Sequence, residues 1–196
     1  LETKTANLKL TSANGETIKN TNESIKIDEL SDFTINAFIA KEDKRFFEHS
    51  GFDIIRIFGA LKNNIKEGQI VEGGSTITQQ LVKNTHTNSE RTLKRKMTEI
   101  KLAKQLEENY SKYEILEMYL NNIYFGNNCF GIGQASITYF DKPASKLTLE
   151  ESAILAGLIS APSVYNPIAN LELSIKKGKL VLSLMHEQNM ITDEEY

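Results

Sequence analysis

From residue 30 onward the apolar side chains of this sequence recur at helical intervals, and no other pattern in the chain competes with that one. Ile54, Phe58, Leu61 and Ile65 fall at i, i+4, i+7 and i+11. A helix turning about 100° per residue puts them on one side, as a core face. Ile115, Leu116, Tyr119, Leu120 and Ile123 make another such face. It is opened by Ser111-Lys112-Tyr113-Glu114, a spacing that lets a serine hydroxyl and a glutamate each satisfy the other's backbone N–H. A second box, Thr148-Leu149-Glu150-Glu151, opens the apolar run SAILAGLISA, which Pro162 ends because proline has no N–H to donate. Three prolines in 196 residues leave few places where a helix is forbidden. The pattern predicts a mostly α fold.

The remaining elements follow by the same reasoning. Leu8 to Lys19 alternates around Asn14-Gly15, a dipeptide suited to a tight turn, and reads as a short N-terminal β-hairpin. Ser31 is expected to cap a helix carrying Phe33, Ala37 and Phe38, and Asp53 to start the helix of Ile54. Gly68 closes that one, and Ser75 or Thr76 caps a helix through Asn84. Ser89 caps the next, with Leu93, Met97 and Ile100 as its apolar stripe. Residues 171–191 read as a last helix, with Gly178 costing about 1 kcal/mol relative to Ala inside it.

With 40% hydrophobic residues the chain can bury a core as one domain or two closely packed lobes. A lone cysteine, Cys129, excludes an internal disulfide and offers no metal spacing, so it reads as a small buried side chain. No apolar run reaches the roughly 18 to 20 residues of a membrane span. The chain begins at Leu1 without Met, so an excised piece of a longer chain is expected, and if that parent has a membrane anchor it was left off.

Chemistry concentrates between Gly73 and Glu99. From Lys83 to Lys104 seven Lys or Arg face Glu90 and Glu99 alone, inside a chain of net charge −3. A positive segment in a mildly acidic protein suggests an anionic ligand at one place. Arg91, Arg95 and Glu99 lie at i, i+4 and i+8, on a face opposite the Leu93 stripe; the plain alternative is a solvated charged face. Ser75, Thr76, Thr78, Gln79 and Gln80 supply hydroxyls and amides, Lys83 adds a cation a turn later, and Gly73-Gly74 frees backbone N–H groups for phosphate oxygens. Upstream, Glu42 and Asp43 end an apolar helix beside Phe46, Phe47 and His49, where partial desolvation would favour a general base. His49 reads first as a structural hydrogen-bonding residue. Such a set fits transfer with a phosphate-bearing leaving group, and the absence of a Walker pattern argues against nucleotide hydrolysis.

The motifs EDKRFFEHSGFD, GGSTITQQLVKN, RKMTEIKLAKQLE, YSKYEILEMYLNNIYFG and LTLEESAILAGLISAPSVYNP stand in one order. In that order they resemble bacterial peptidoglycan glycosyltransferases, the domain of class A penicillin-binding proteins and monofunctional transglycosylases. The resemblance runs from about Leu30 to the C-terminus. It divides the chain into a linker with a hairpin at 1–29 and a glycosyltransferase domain at 30–196, and implies a lysozyme-like, two-lobed helical fold. It implies inverting polymerisation of lipid II into β-1,4-linked strands, with undecaprenyl pyrophosphate leaving, at the extracytoplasmic face of the plasma membrane, anchored by a helix absent from this chain. Carried over, Glu42 matches the general base and Glu99 the second essential carboxylate, which organises the pyrophosphate region or a divalent cation there, Mg or Mn; no cofactor is otherwise required.

Lys83, Arg91 and Arg95 match the residues that bind the donor pyrophosphate. Ser75, Thr76, Gln79, Gln80 and Asn84 match the hydrogen-bonding wall, and Asp43, Phe47 and His49 complete the first motif. Implied partners are lipid II, the growing glycan, the membrane surface and moenomycin-type inhibitors, with no nucleic acid. Gly133-Gln134, where relatives often carry an acid, and TYFDKP depart from the family pattern away from this set. The alternatives are a lysozyme-like muramidase or lytic transglycosylase, whose leaving group needs no cation cluster, and a nucleic-acid binder, which the acidic net charge opposes.

Overall fold

The computed structural model describes residues 24–56, 74–86 and 93–196. Within them the chain is helical: α1 (Asp32–Glu42), α2 (Ile77–His86), α3 (Leu93–Asn109), α4 (Lys112–Asn122), α5 (Ile132–Phe140), α6 (Leu149–Leu158) and α7 (Leu171–Glu187). One antiparallel ribbon, β1 (Tyr124–Gly126) with β2 (Cys129–Phe130), lies between α4 and α5. The hairpin expected at Asn14-Gly15, the stretch Phe58–Ile65, Gly68, Ser89 and Arg91 lie outside the described residues.

Two groups of helices share one core. α1 packs on α6 and α7, while α2 packs on α3 and α4. Between them Phe38 of α1 meets Phe125 of the ribbon edge to face, with ring centres 6.0 Å apart. Phe38, Ile115, Leu116, Tyr119, Leu120, Phe125, Leu155 and Leu158 are buried and belong to the same apolar cluster. The last residue of α1 is Glu42, which contacts α2, so the C-terminal end of α1 falls where the two groups meet.

Both capping boxes form as expected. Ser111 and Glu114 cap α4 reciprocally, as Thr148 and Glu151 do for α6. The N-terminus of α2 closes in the same way: Thr76 Oγ1 accepts from Gln79 N at 3.1 Å, and Gln79 Oε1 accepts from Thr76 N at 3.0 Å. Ser31 stands at the N-cap of α1, but its hydroxyl makes no cap bond. It bonds the hydroxyl of Thr34, which in turn bonds Ser152 of α6, both at 2.8 Å. A buried threonine needs partners more than an exposed first turn needs its cap.

Two expectations fail on burial. Ile54 is 54% exposed and does not join the core, and Met97 is 73% exposed. The inward side of α3 is instead Glu99, Ala103 and Leu106, at i, i+4 and i+7. The helix therefore buries its charged stripe and shows an apolar residue to solvent, because Glu99 has its cations beside it and α2 to lie against.

The ribbon is the element that helical periodicity could not announce. Asn127 and Asn128 carry φ of 47° and 57°, left-handed conformations that asparagine tolerates better than most residues and that a two-residue hairpin turn demands. The last helix runs to Glu187, and Gly178 within it has a positive use. A Cβ there would lie 2.9 Å from Ile154 Cγ1, and one at Gly157 would lie 2.8 Å from Lys177 Cγ. The two glycines let α6 and α7 approach closely, which offsets the helix propensity lost at Gly178.

Candidate active site

Asp43 leaves helical geometry at the end of α1, and the chain turns back so that His49 Nε2 lies 2.9 Å from Asp43 Oδ2. The same oxygen accepts from Ile77 N at 3.0 Å. That N–H is at the start of α2, where it has no partner in its own helix and the helix dipole favours a negative charge. The Arg56 guanidinium donates to the carbonyl of Glu42 and stands 3.6 Å from Asp43 Oδ1.

The knot continues through Glu107, whose carboxylate accepts from Thr78 Oγ1 and pairs with Lys112 Nζ, both at 2.6 Å. Lys112 also donates to the carbonyl of His49 at 2.6 Å. Asp43 and His49 are thus buried framework holding the first motif, while Phe47 is 51% exposed and packs on Tyr113.

Glu42 is the carboxylate this framework leaves partly open. Its side chain retains 13% exposure, with Oε1 3.3 Å from Lys41 Nζ. Oε2 accepts from Gln80 Nε2 at 2.8 Å. The carbonyl of Gln80 in turn accepts from Tyr119 Oη at 3.2 Å. Tyr119 is fully buried; burial first, then the charges of Glu42 and Asp43, push its phenol well above the ordinary range, with Arg56 acting the other way. Lys177 of α7 stands 5.0 Å from the centre of the Tyr165 ring. Partial burial and the charge of Lys41 lower its pKa, and Glu42 raises it.

The segment just before α2 meets the basic helix. Ser75 Oγ accepts from Lys96 Nζ at 2.8 Å, Lys96 lies 3.5 Å from Glu99 Oε2, and Arg95 donates to Glu99 Oε1 at 2.6 Å. Glu99 is 2% exposed, so these cations compensate a charge withdrawn from water. Thr76 and Gln79 are buried and engaged in closing α2, with the Thr76 hydroxyl donating to Gly51 O at 2.8 Å. Lys83 and Asn84 are exposed on the turn of α2 that follows Gln80.

The N-terminal end of α2 therefore brings the two parts of the site together, touching Glu42 through Gln80 in its first turn and the Arg95–Lys96–Glu99 group through Ser75, two residues before it begins. Both Glu99 oxygens meet cations, and among the described residues no three His, Cys, Asp or Glu side chains gather to hold a metal. Among the described residues the Glu99 oxygens are taken up by Arg95 and Lys96 and gather no donor set for a divalent cation.

Residues absent from the sequence-based set are Lys41, Arg56, Lys96, Glu107, Lys112, Tyr119 and Lys177. Two had a signal. Tyr119 brings a hydroxyl into an otherwise apolar stripe, and Glu107 lies at i+8 from Glu99 with Ala103 between them.

Comparison with known proteins covers nearly the whole chain. The family model described as Transglycosylase matches residues 10–186. Penicillin-binding protein 1A/1B of Bacillus subtilis is 52% identical over 88% of this chain and 19% of its own length. Penicillin-binding protein 1A of Escherichia coli is 40% identical over 96% of this chain and 23% of its own. The crystal structure of penicillin-binding protein 1A from Haemophilus influenzae superposes with a TM-score of 0.54 at 26% identity, covering 95% of this chain and 19% of that one. The chain thus spans about a fifth to a quarter of the relatives it matches.

Proposed function

The chain belongs to the transglycosylase family, and on that premise we propose that it is a peptidoglycan glycosyltransferase that polymerises lipid II into β-1,4-linked glycan strands. The observation that carries this reading is the N-terminal end of α2, where Gln80 meets a partly open carboxylate and Ser75, just before the helix, meets a cation group. Glu42 takes the proton of the acceptor hydroxyl. The oxygen then uses its electron pair to attack the anomeric carbon of the donor, and the bond from that carbon to the pyrophosphate oxygen breaks on the opposite face, with inversion. Undecaprenyl pyrophosphate leaves with the electron pair, and Lys83, Arg91 and Arg95 offset its growing charge. Glu99 aims Arg95 and Lys96.

The lipid tail of such a donor cannot leave the bilayer without exposing its hydrocarbon to water, so the reaction takes place at a membrane surface. Among the described residues no helix is long and apolar enough to cross one. We place the protein at the extracytoplasmic face of the plasma membrane, with moenomycin-type phosphoglycolipids as competitors for the donor site.

Glu42→Gln tests the reading, because an amide keeps the shape and cannot take a proton. Strand formation from lipid II should fall by about 100-fold or more with the melting temperature nearly unchanged. Normal turnover in that variant removes Glu42 from the role. Release of soluble muropeptides from sacculi by the unmodified protein, with no polymer from lipid II, would make it a muramidase instead.

A further inference from the structure

Behind the Glu42 carboxylate a line of hydrogen bonds runs back into the core of the protein. Gln80 Nε2 donates to Glu42 Oε2 at 2.8 Å, and Tyr119 Oη donates to the same amide's Oε1 at 3.2 Å. A primary amide has nearly the same outline either way round, so its hydrogen-bond partners alone decide which end faces which neighbour. A phenol this deeply buried must place its proton on an acceptor, and Gln80 supplies one. Its pKa, pushed up by burial, keeps that proton in place across the neutral range. With the amide oxygen taken by Tyr119, the NH2 end is left for Glu42. Turned over, Gln80 would set its carbonyl against the carboxylate and leave the phenol proton unmet.

We propose that Tyr119 is a positioning residue for the transfer reaction: through Gln80 it fixes the orientation of the Glu42 carboxylate toward the acceptor hydroxyl. The proposal rests on Glu42 being the base. An amide locked as a donor favours the carboxylate over the carboxylic acid. An amide free to turn could accept from the protonated acid and stabilise it. Tyr119 removes that second option.

The charged groups around Glu42 are Lys41 on α1, Asp43 beyond its end, Arg56 against its backbone carbonyl, and Lys177 from α7. Tyr119→Phe leaves all of these in place and deletes one hydroxyl. In polymerisation of lipid II by the intact protein, kcat should drop about tenfold with KM within about twofold. The acid limb of the kcat/KM profile should move about one pH unit upward. Combined with Gln80→Leu, Tyr119→Phe should add nothing further, since the residue acts through the amide.

An acid limb that stays put in Tyr119→Phe, or full additivity in the double variant, overturns the proposal. If Tyr119→Phe melts too low to assay, Gln80→Leu alone reads the same link, and an unmoved limb there also overturns it. Failure of this kind is distinct from failure of the proposed function, which shows itself in wild-type protein inert toward lipid II or in an active Glu42→Gln.

Discussion

Two contacts of α1 and its neighbours are built from opposite materials. Where α6 crosses α7, Gly157 and Gly178 bring the backbones together among Leu155, Leu158, Val181 and Met185, all buried. Where α1 ends, Asp43, His49, Arg56, Glu107, Lys112 and Thr78 form a charged knot. The apolar crossing gains from many small dispersion contacts, none of which depends on another being made. In the knot most groups are engaged by a neighbour, so removing one leaves its partner with few other contacts in a place that water reaches only in part. Stability can therefore be lost at the crossing without touching the site, whereas the knot ties the two together.

The largest test is Glu107→Ala, which leaves Lys112 and Thr78 without their shared carboxylate. It should destabilise the protein by about 3–5 kcal/mol, as breaking buried pairs does, and polymerisation should fall even well below the melting temperature. Denaturant unfolding and lipid II turnover on one preparation read both; full activity in a destabilised variant would uncouple the knot from the site. Next comes Gly178→Val, which forces side-chain volume against Ile154 and should cost about 1–3 kcal/mol. Turnover at temperatures where it is folded should match wild type, and a parallel loss would show that the crossing also shapes the site.

Smaller again, Ser111→Ala removes the hydroxyl half of the α4 cap and should cost about 1 kcal/mol in denaturant unfolding. The smallest effect is one of pH. Hydrogen bonds from the Ser111 backbone first, then its side chain, hold the Glu114 pKa below its ordinary value. Because the folded pKa is the lower one, this contribution is complete above the unfolded value and disappears as pH falls through the folded value. Glu114→Gln should flatten the acid side of the melting-temperature profile slightly and leave the neutral side alone.

The apolar side of this contrast was readable from the sequence and the charged side only in part. The face Ile115, Leu116, Tyr119, Leu120 and Ile123 and both capping boxes depend on neighbours within one turn of helix, so local spacing is enough to find them. Glu42, Gln80, Arg95 and Glu99 were picked out as residues, but their contacts were not. Tyr119 reaches Gln80 across 39 positions and Lys112 reaches His49 across 63, distances over which periodicity carries no information. Met97 went wrong for a related reason. Spacing treats an apolar side chain as one that turns inward, and it had no way to see that Glu99 brings Arg95 and Lys96 with it and so can be buried instead. The asparagine pair of the ribbon is a turn signal visible in the sequence, but it does not by itself show which strands it joins.

The start of α2 also works as a gauge. Ser75 sits two residues before the first residue of α2 and Gln80 in its first turn, so only the stretch from Ile77 to Gln80, roughly 4 to 5 Å at about 1.5 Å of rise per residue, is held by helix geometry, and it changes only if the helix unwinds. Breathing motions that widen the surroundings leave that interval alone. Adding a single residue between positions 77 and 79 would instead swing the amide about 100° around the axis, and the proton acceptor would lose its register with the anion site although every side chain of both was still present.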